Sequence, residues 1–378
     1  MIRVRMRALA GVTLALLLVA APAQAAFMPD DPGSSGQPGG WVNDQWNFLP
    51  GTGVDAPRAW ENLIAKGRPG GLGVKVAVLD TGVAYEDRGP YRRSPDLSRF
   101  RLARGRDFCS HPGAGGDPCA GEDAHPDDPN GHGTHVASTI AEATANGIGV
   151  TGLAYGATII PVKVLDRNGL GDEESIAAGI RYAVARGARI INLSFEFDSS
   201  IASARQVPRI VSALRHARRK GVLVVAAAGN EGRTTLAYPA ALPGVVAVGA
   251  VTAHGCLAAY SDTGPGLDLV APGGGDDAER PMESACQPGV TGRPILQMTF
   301  AGSKRRFGLP TDYYGTSMAA PHVSAAAALV IASGVLGAHP SPAALERRLK
   351  ATARDLGPPG PDIAYGAGLL DAGAATAP

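Results

Sequence analysis

Val74-Lys75-Val76-Ala77-Val78-Leu79-Asp80-Thr81-Gly82 is a short, β-branched, largely apolar run that stops at a carboxylate and a glycine turn. Such a run, with little alternation, reads as a strand buried on both faces of a sheet. Similar runs return at 159–165, 189–193, 222–228 and 245–251. Between them, 132–145 reads as a helix of small residues, 173–186 as an amphipathic helix and 208–220 as a third. Ser317 opens a long Ala-rich helix that ends near Gly334. Strand alternating with helix predicts an α/β fold, a mostly parallel central sheet covered by helices on both faces. Sheets of that kind bind ligands at the carboxyl ends of their strands. The stretch 273–307 is rich in Gly, Pro and charge, and it reads as a surface insertion stapled at Cys286.

The first residues set the expected compartment. Arg3, Arg5 and Arg7 precede an apolar stretch, 9–21, and Ala23-Gln24-Ala25 has the small-x-small pattern of a cleavage site. Residues 1–25 therefore read as a signal peptide, 26–43 as a Pro/Gly-rich tail and 44–378 as the main domain, in a secreted protein. The apolar stretch is too short for a retained span, and no later run has the composition of one. The full chain carries +1; removing three arginines from 35 basic residues against 34 acidic ones leaves −2. That balance favours neither nucleic acid nor a membrane surface as partner. The basic clusters 215–220 and 304–306 read as solvated. Four cysteines in an exported chain allow three pairings, of which Cys109 with Cys119 and Cys256 with Cys286 is favoured. Each of those pairs sits within one loop-like stretch.

Four segments carry side chains suited to acyl transfer. Asp80 ends the first strand. His132 lies in Gly131-His132-Gly133-Thr134-His135, Asn230 in Ala228-Gly229-Asn230-Glu231-Gly232, and Ser317 in Gly315-Thr316-Ser317-Met318-Ala319-Ala320-Pro321-His322. A carboxylate, an imidazole, an amide and a hydroxyl are what nucleophilic catalysis with oxyanion stabilisation requires. Alone, the first three motifs are ordinary: strand-end aspartates cap helices, Asn-Glu-Gly is a common turn, and the two histidines could be a metal pair, although they stand three apart and no third ligand follows. Ser317 lacks the Gly-x-Ser-x-Gly context of the α/β-hydrolases. His135 and His322 read as packed helix residues.

With Asp, His and Ser in that order, the chain from about Asp44 onward resembles the subtilisin-like serine proteases, the subtilases. The resemblance implies a three-layer fold and an active endopeptidase on polypeptide substrates. In it Ser317 is the nucleophile, His132 the base, Asp80 its orienting partner and Asn230 the oxyanion donor. It also implies a groove in which Gly169-Leu170-Gly171 and Ser194-Phe195-Glu196 pair with an extended substrate. Glu196 stands where the family usually has Gly, and Glu231 matches a position at the primary pocket. Together they imply tolerance of basic side chains before the scissile bond. A structural Ca²⁺ is implied at Gln45, Asp96 and Asn146, with backbone oxygens of Thr144, Ile148 and Val150. The acidic run 122–128 reads as a solvated loop rather than a second calcium site. Between Ala25 and Asp44 there is no room for the folded prosegment common among secreted relatives. A monomer is expected. A narrow processing protease and a silent binding scaffold are the rival readings.

Overall fold

The computed structural model describes residues 27–109, 122–279 and 285–378, so the leader, Cys119 and its pairing with Cys109 lie outside the described residues. The helices are α1 (Trp41–Asp44), α2 (Ala56–Ile64), α3 (His132–Ala141), α4 (Glu173–Ala185), α5 (Pro208–Arg219), α6 (Thr316–Ser333), α7 (Pro342–Ala351) and α8 (Ala372–Thr376). The strands are β1 (Lys75–Asp80), β2 (Arg106–Asp107), β3 (Thr158–Lys163), β4 (Ile190–Leu193), β5 (Leu223–Ala227), β6 (Val245–Val251), β7 (Leu269–Pro272), β8 (Thr299–Ser303) and β9 (Arg306–Gly308). The first seven form one sheet in the order β2-β3-β1-β4-β5-β6-β7. Every neighbouring pair in it is parallel. The chain visits β3 on one side of β1 and then β4 on the other, so the order reverses about β1. That reversal is where an open α/β sheet leaves a crevice at its carboxyl ends.

Side-chain alternation divides the core. Val76 and Val78 of β1 point into the larger cluster with α2, α3, α6, α7 and α8. Ala77 and Leu79 point the other way, towards α4 and α5. This is the three-layer arrangement the strand and helix periodicities predict. Helix α6 is long and apolar enough by composition to cross a membrane, yet 83% of it is buried inside the fold, as befits a core helix. Its alanines let it lie close under the sheet, where larger side chains would hold it away.

Three expectations need correction. The stretch expected as a linker is packed on the domain: Trp41 is fully buried, and Phe27 meets Trp60 edge-on at 6.1 Å. Two aromatics anchor a segment whose average composition is that of a tail. The stretch 273–307 is not all surface either, since Ile295 and Gln297 are fully buried and β8 pairs with β9. Helix α3 stops at Ala141, short of Ala145, because Glu142 turns to an extended backbone and the chain leaves to form a loop around Asp31.

Cys256 and Cys286 are bonded, closing a separation of 30 residues. In the chain-entropy description such a crosslink contributes about 3–4 kcal/mol, mostly by restricting the unfolded chain. Cys256→Ser with Cys286→Ser should therefore lower the urea midpoint while leaving the active fraction, titrated with a serine-directed probe, unchanged in native buffer.

Candidate active site

Asp80 ends β1, and its carboxylate is fully buried at the sheet's carboxyl edge. Oδ1 accepts from the Thr81 backbone N–H at 2.7 Å and lies 2.7 Å from His132 Nδ1. That contact directs Nε2 of the ring towards the crevice and selects the tautomer protonated at Nδ1. Burial lowers the imidazole's affinity for a proton, but the charge of Asp80, its hydrogen bond and the charge of Asp128 outweigh that. The net pKa is raised above 6.5.

His132 is the first residue of α3 and its ring remains about a quarter exposed (26%). Gly131 precedes it at φ 110°, a conformation L side chains rarely adopt. A Cβ on Gly133 would stand 2.1 Å from the Gly82 carbonyl oxygen, so the helix can approach β1 only with glycine there. The turn is held by Asp128, whose Oδ1 accepts from Thr81 Oγ1 and the N–H groups of Asn130 and Gly131. Its Oδ2 accepts from Thr134 N–H and Oγ1. Asp128 is fully buried and Asp127 is paired with Arg88 at 2.8 Å, so this end of the acidic run is internal rather than solvated.

Ser317 is the second residue of α6. Pro321, four residues on, has no N–H to give the Ser317 carbonyl. That carbonyl accepts instead from Ser194 Oγ at 2.7 Å, which ties the helix start to the end of β4. The Ser317 hydroxyl donates to the Ser194 carbonyl at 2.9 Å. Gly315, at φ 148°, places the helix start against Asn230. Asn230 Oδ1 accepts from Thr316 N–H at 2.8 Å and Thr316 Oγ1 at 3.0 Å, which fixes the amide so that Nδ2 points away from the helix.

Glu196 occupies that other side. Its Oε1 accepts from Asn230 Nδ2 and its Oε2 from the Asn230 backbone N–H, both at 3.3 Å. Burial, then the charges of Asp262 and Glu231, more than offset these bonds and raise the pKa of Glu196. Glu231 itself is exposed and pairs with Arg233 at 3.1 Å. Gly169, Leu170 and Gly171 face Phe195 and Glu196 across a cleft of about 310 Å³, which Ile176 and Ile210 also line. Asp166 shapes the near wall by accepting from the N–H groups of Asn168 and Leu170.

The two other helix histidines are packed, as expected. His135 stacks on Tyr313 with 4.2 Å between ring centres and faces the Ile295 carbonyl; burial takes its pKa down to about 3. His322 bridges the Met318 carbonyl and the Asn47 amide, and burial takes it to about 4.

The residues expected around a cation are partly together. Asn146 Nδ2 donates to Asp96 Oδ1 at 2.7 Å, while Asn146 Oδ1 accepts from Ile148 N–H. Gln45 does not join them, because its amide is engaged in both directions with the Thr151 backbone. Asp31 stands there instead, accepting from Ala145 N–H, Asn146 N–H and Thr144 Oγ1. Glu142 faces Asp96, and burial pushes both carboxyls up; Asp31 is raised likewise. Asp96 Oδ2 and Glu142 Oε2 have no hydrogen-bond donor when both groups are ionised, and only a shared proton would join them. Three buried carboxylates, two of them with a vacant oxygen, suit a hard divalent cation. Neither Asp31 nor Glu142 stood out in the sequence, where nothing marks a contact across more than 100 residues.

A family model described as the Subtilase family matches residues 71–368. Subtilisin BL of Lederbergia lenta is 39% identical over 306 residues, spanning 81% of this chain and 91% of that protein. The major intracellular serine protease of Bacillus subtilis is 39% identical over 283 residues, spanning 73% of this chain and 72% of the other. Among solved structures, one described as proteases from Pseudoalteromonas arctica PAMC 21717 superposes with a TM-score of 0.72 at 30% identity, covering 93% of this chain and 99% of that one. The catalytic constellation read from the sequence, the parallel sheet that gathers it and these relatives converge: the chain belongs to the subtilase family and is a serine endopeptidase.

Proposed function

We propose that this protein is a secreted endopeptidase that hydrolyses peptide bonds through Ser317, His132 and Asp80, with Asn230 stabilising the oxyanion. The observation that carries the reading is the 2.7 Å contact of Asp80 with His132 at the one sheet edge that also receives the start of α6. Ser317 Oγ attacks the scissile carbonyl as its proton passes to His132 Nε2. The resulting imidazolium is stabilised by Asp80, which keeps its own negative charge. The tetrahedral oxygen is held by Asn230 Nδ2 and the Ser317 backbone N–H at the start of α6, where the helix dipole favours negative charge. Collapse breaks the C–N bond, and the amine leaves with the proton from His132. Water, deprotonated by the same imidazole, then releases the acid from Ser317. An extended substrate lies between 169–171 and 194–196 as an added strand, with the cleft beside Phe195 receiving an apolar side chain. Export is supported by the leader motif and by the Cys256–Cys286 bond, which persists in an oxidising compartment.

Calcium completes the reading as a structural ion. Asp31, Asp96 and Asn146 would hold it, with the 143–150 loop around them and Glu142 alongside. Bound there, the ion would neutralise carboxylates that otherwise repel one another, and it takes no part in the chemistry.

Ser317→Ala should abolish both hydrolysis and labelling by a fluorophosphonate probe, and labelling that survives in that variant overturns the assignment. For Asn230→Ala the expected loss is about 10²–10³ in kcat, a magnitude known from a subtilisin rather than derived for this chain.

The acid limb of kcat/KM gives a second test. His132 acts as base only when neutral, and its pKa lies above 6.5 because of Asp80. Activity should rise through a midpoint above that value, and Asp80→Asn should lower the midpoint as well as the rate.

Thermal melts address the cation. Calcium at 100 times its dissociation constant should stabilise by about 2.7 kcal/mol, seen as a saturable rise in Tm. Asp96→Asn should remove most of that rise, whereas a wild-type Tm indifferent to calcium and EGTA rules the site out.

A further inference from the structure

Glu196 sits on the amide that the proposed mechanism needs free. Asn230 cannot turn away, since Thr316 holds its Oδ1 with two hydrogen bonds, so Nδ2 is presented to whatever lies in front of it. Here that is Glu196 Oε1, at 3.3 Å. The carboxylate and the tetrahedral oxygen are both anionic and would use the same N–H. An ionised Glu196 left in place therefore removes a donor and adds a repulsive charge where negative charge must develop.

The surroundings indicate what could draw Glu196 off. Asp262 Oδ1 holds the 229–233 turn by accepting from the N–H groups of Glu231 and Arg233, while its Oδ2 is buried with no hydrogen-bond partner. That free oxygen and Glu196 Oε2 both press on Gly229, at 2.1 and 2.9 Å from where a Cβ would be. Two carboxylates thus converge beside the oxyanion position, and Arg233, the neighbouring cation, is engaged with Glu231 at the exposed rim.

We infer that Glu196 is a specificity-determining residue, a latch on Asn230 released by a substrate carrying arginine or lysine immediately before the scissile bond. The cationic side chain enters between Glu196 and Asp262, pairs with the carboxylates and frees Asn230 Nδ2 for the oxyanion. A neutral side chain of the same shape leaves the latch shut, so discrimination falls on kcat more than on KM. The inference rests on the protease reading and on Asn230 as oxyanion donor, and it names the substrate class of that same site.

Matched peptide anilides with arginine, citrulline or leucine before the scissile bond test it in the wild type, Glu196→Gln and Glu196→Gly. Citrulline keeps the shape of arginine without its charge, and Glu196→Gln removes the latch's charge with little change of volume. The wild type should prefer arginine over citrulline by at least about tenfold, mainly in kcat. Both variants should bring that ratio to within about threefold, with kcat on the neutral substrates rising. A merely structural role would lower all three rates together and overturns the latch, as does a wild type that treats arginine and citrulline alike. An unchanged ratio in Glu196→Gln overturns it too, provided the fluorophosphonate probe labels Ser317. If no form labels or cleaves, the protease reading itself fails and takes the latch with it.

Discussion

The structure depends on how closely α6 can lie under the parallel sheet. Its buried face is mostly alanine, with Met318, Val323, Leu329 and Val330, and it rests against strands that are themselves mostly valine, isoleucine and alanine. Small side chains on both sides bring backbone near to backbone, and the dense interior leaves the helix little room to shift. Since Ser317 is the second residue of that helix, the same packing that stabilises the domain positions its hydroxyl. Gly273 and Gly315 complete the fit: Gly315 N–H donates to the Gly273 carbonyl at 3.0 Å, and a Cβ on Gly273 would meet Ala250 at 2.5 Å. Overpacking anywhere along α6 would therefore displace the site before it unfolded the protein.

What the sequence discloses follows from which forces are local. β1, β3, β4, β5 and β6 were legible because a strand covered on both faces must be apolar throughout, whatever its neighbours are. β2 has two residues and β7 ends in proline, so neither carries enough pattern to be seen. The residues of the acyl-transfer set were legible because that chemistry needs particular side chains beside particular glycines. Asp128 and Asp31 were not, since the role of each comes from donors on other segments. For Asp31 those donors are more than 110 residues away. Gln45 failed for the converse reason: a side chain with the right chemistry was claimed by the Thr151 backbone. Composition misled at 26–43, where Phe27, Asp31 and Trp41 outweigh the surrounding proline and glycine.

Buried carboxylates recur around this fold, and each is handled differently. Asp80 is offset by the imidazole it orients. Burial raises the pKa values of Asp96, Glu142 and Asp31, and the charge of Asp31 adds to the rise at the other two, which leaves their region dependent on a proton or a cation for neutrality. That cluster lies at the end of α3 opposite to His132, so α3 has buried carboxylates at both of its ends.

Hydrogen-bond strength separates the carboxylates that shape the site from the one that can move within it. Asp128 takes five bonds between 2.6 and 3.0 Å from a loop, a turn and a helix start, and displacing it would strand all of those donors. Glu196 takes two, both at 3.3 Å, and both from Asn230. Its burial raises its pKa where a firmly bound carboxylate would be lowered, so this position holds it against a net electrostatic cost. A half-buried acid with two long bonds and like-charged neighbours is held less firmly than Asp128. Asn230 is the reverse, because Thr316 fixes its amide from behind whether or not Glu196 is present. Asn230 Nδ2 is thus held in place from behind, while the carboxylate in front of it is bound by two long hydrogen bonds alone.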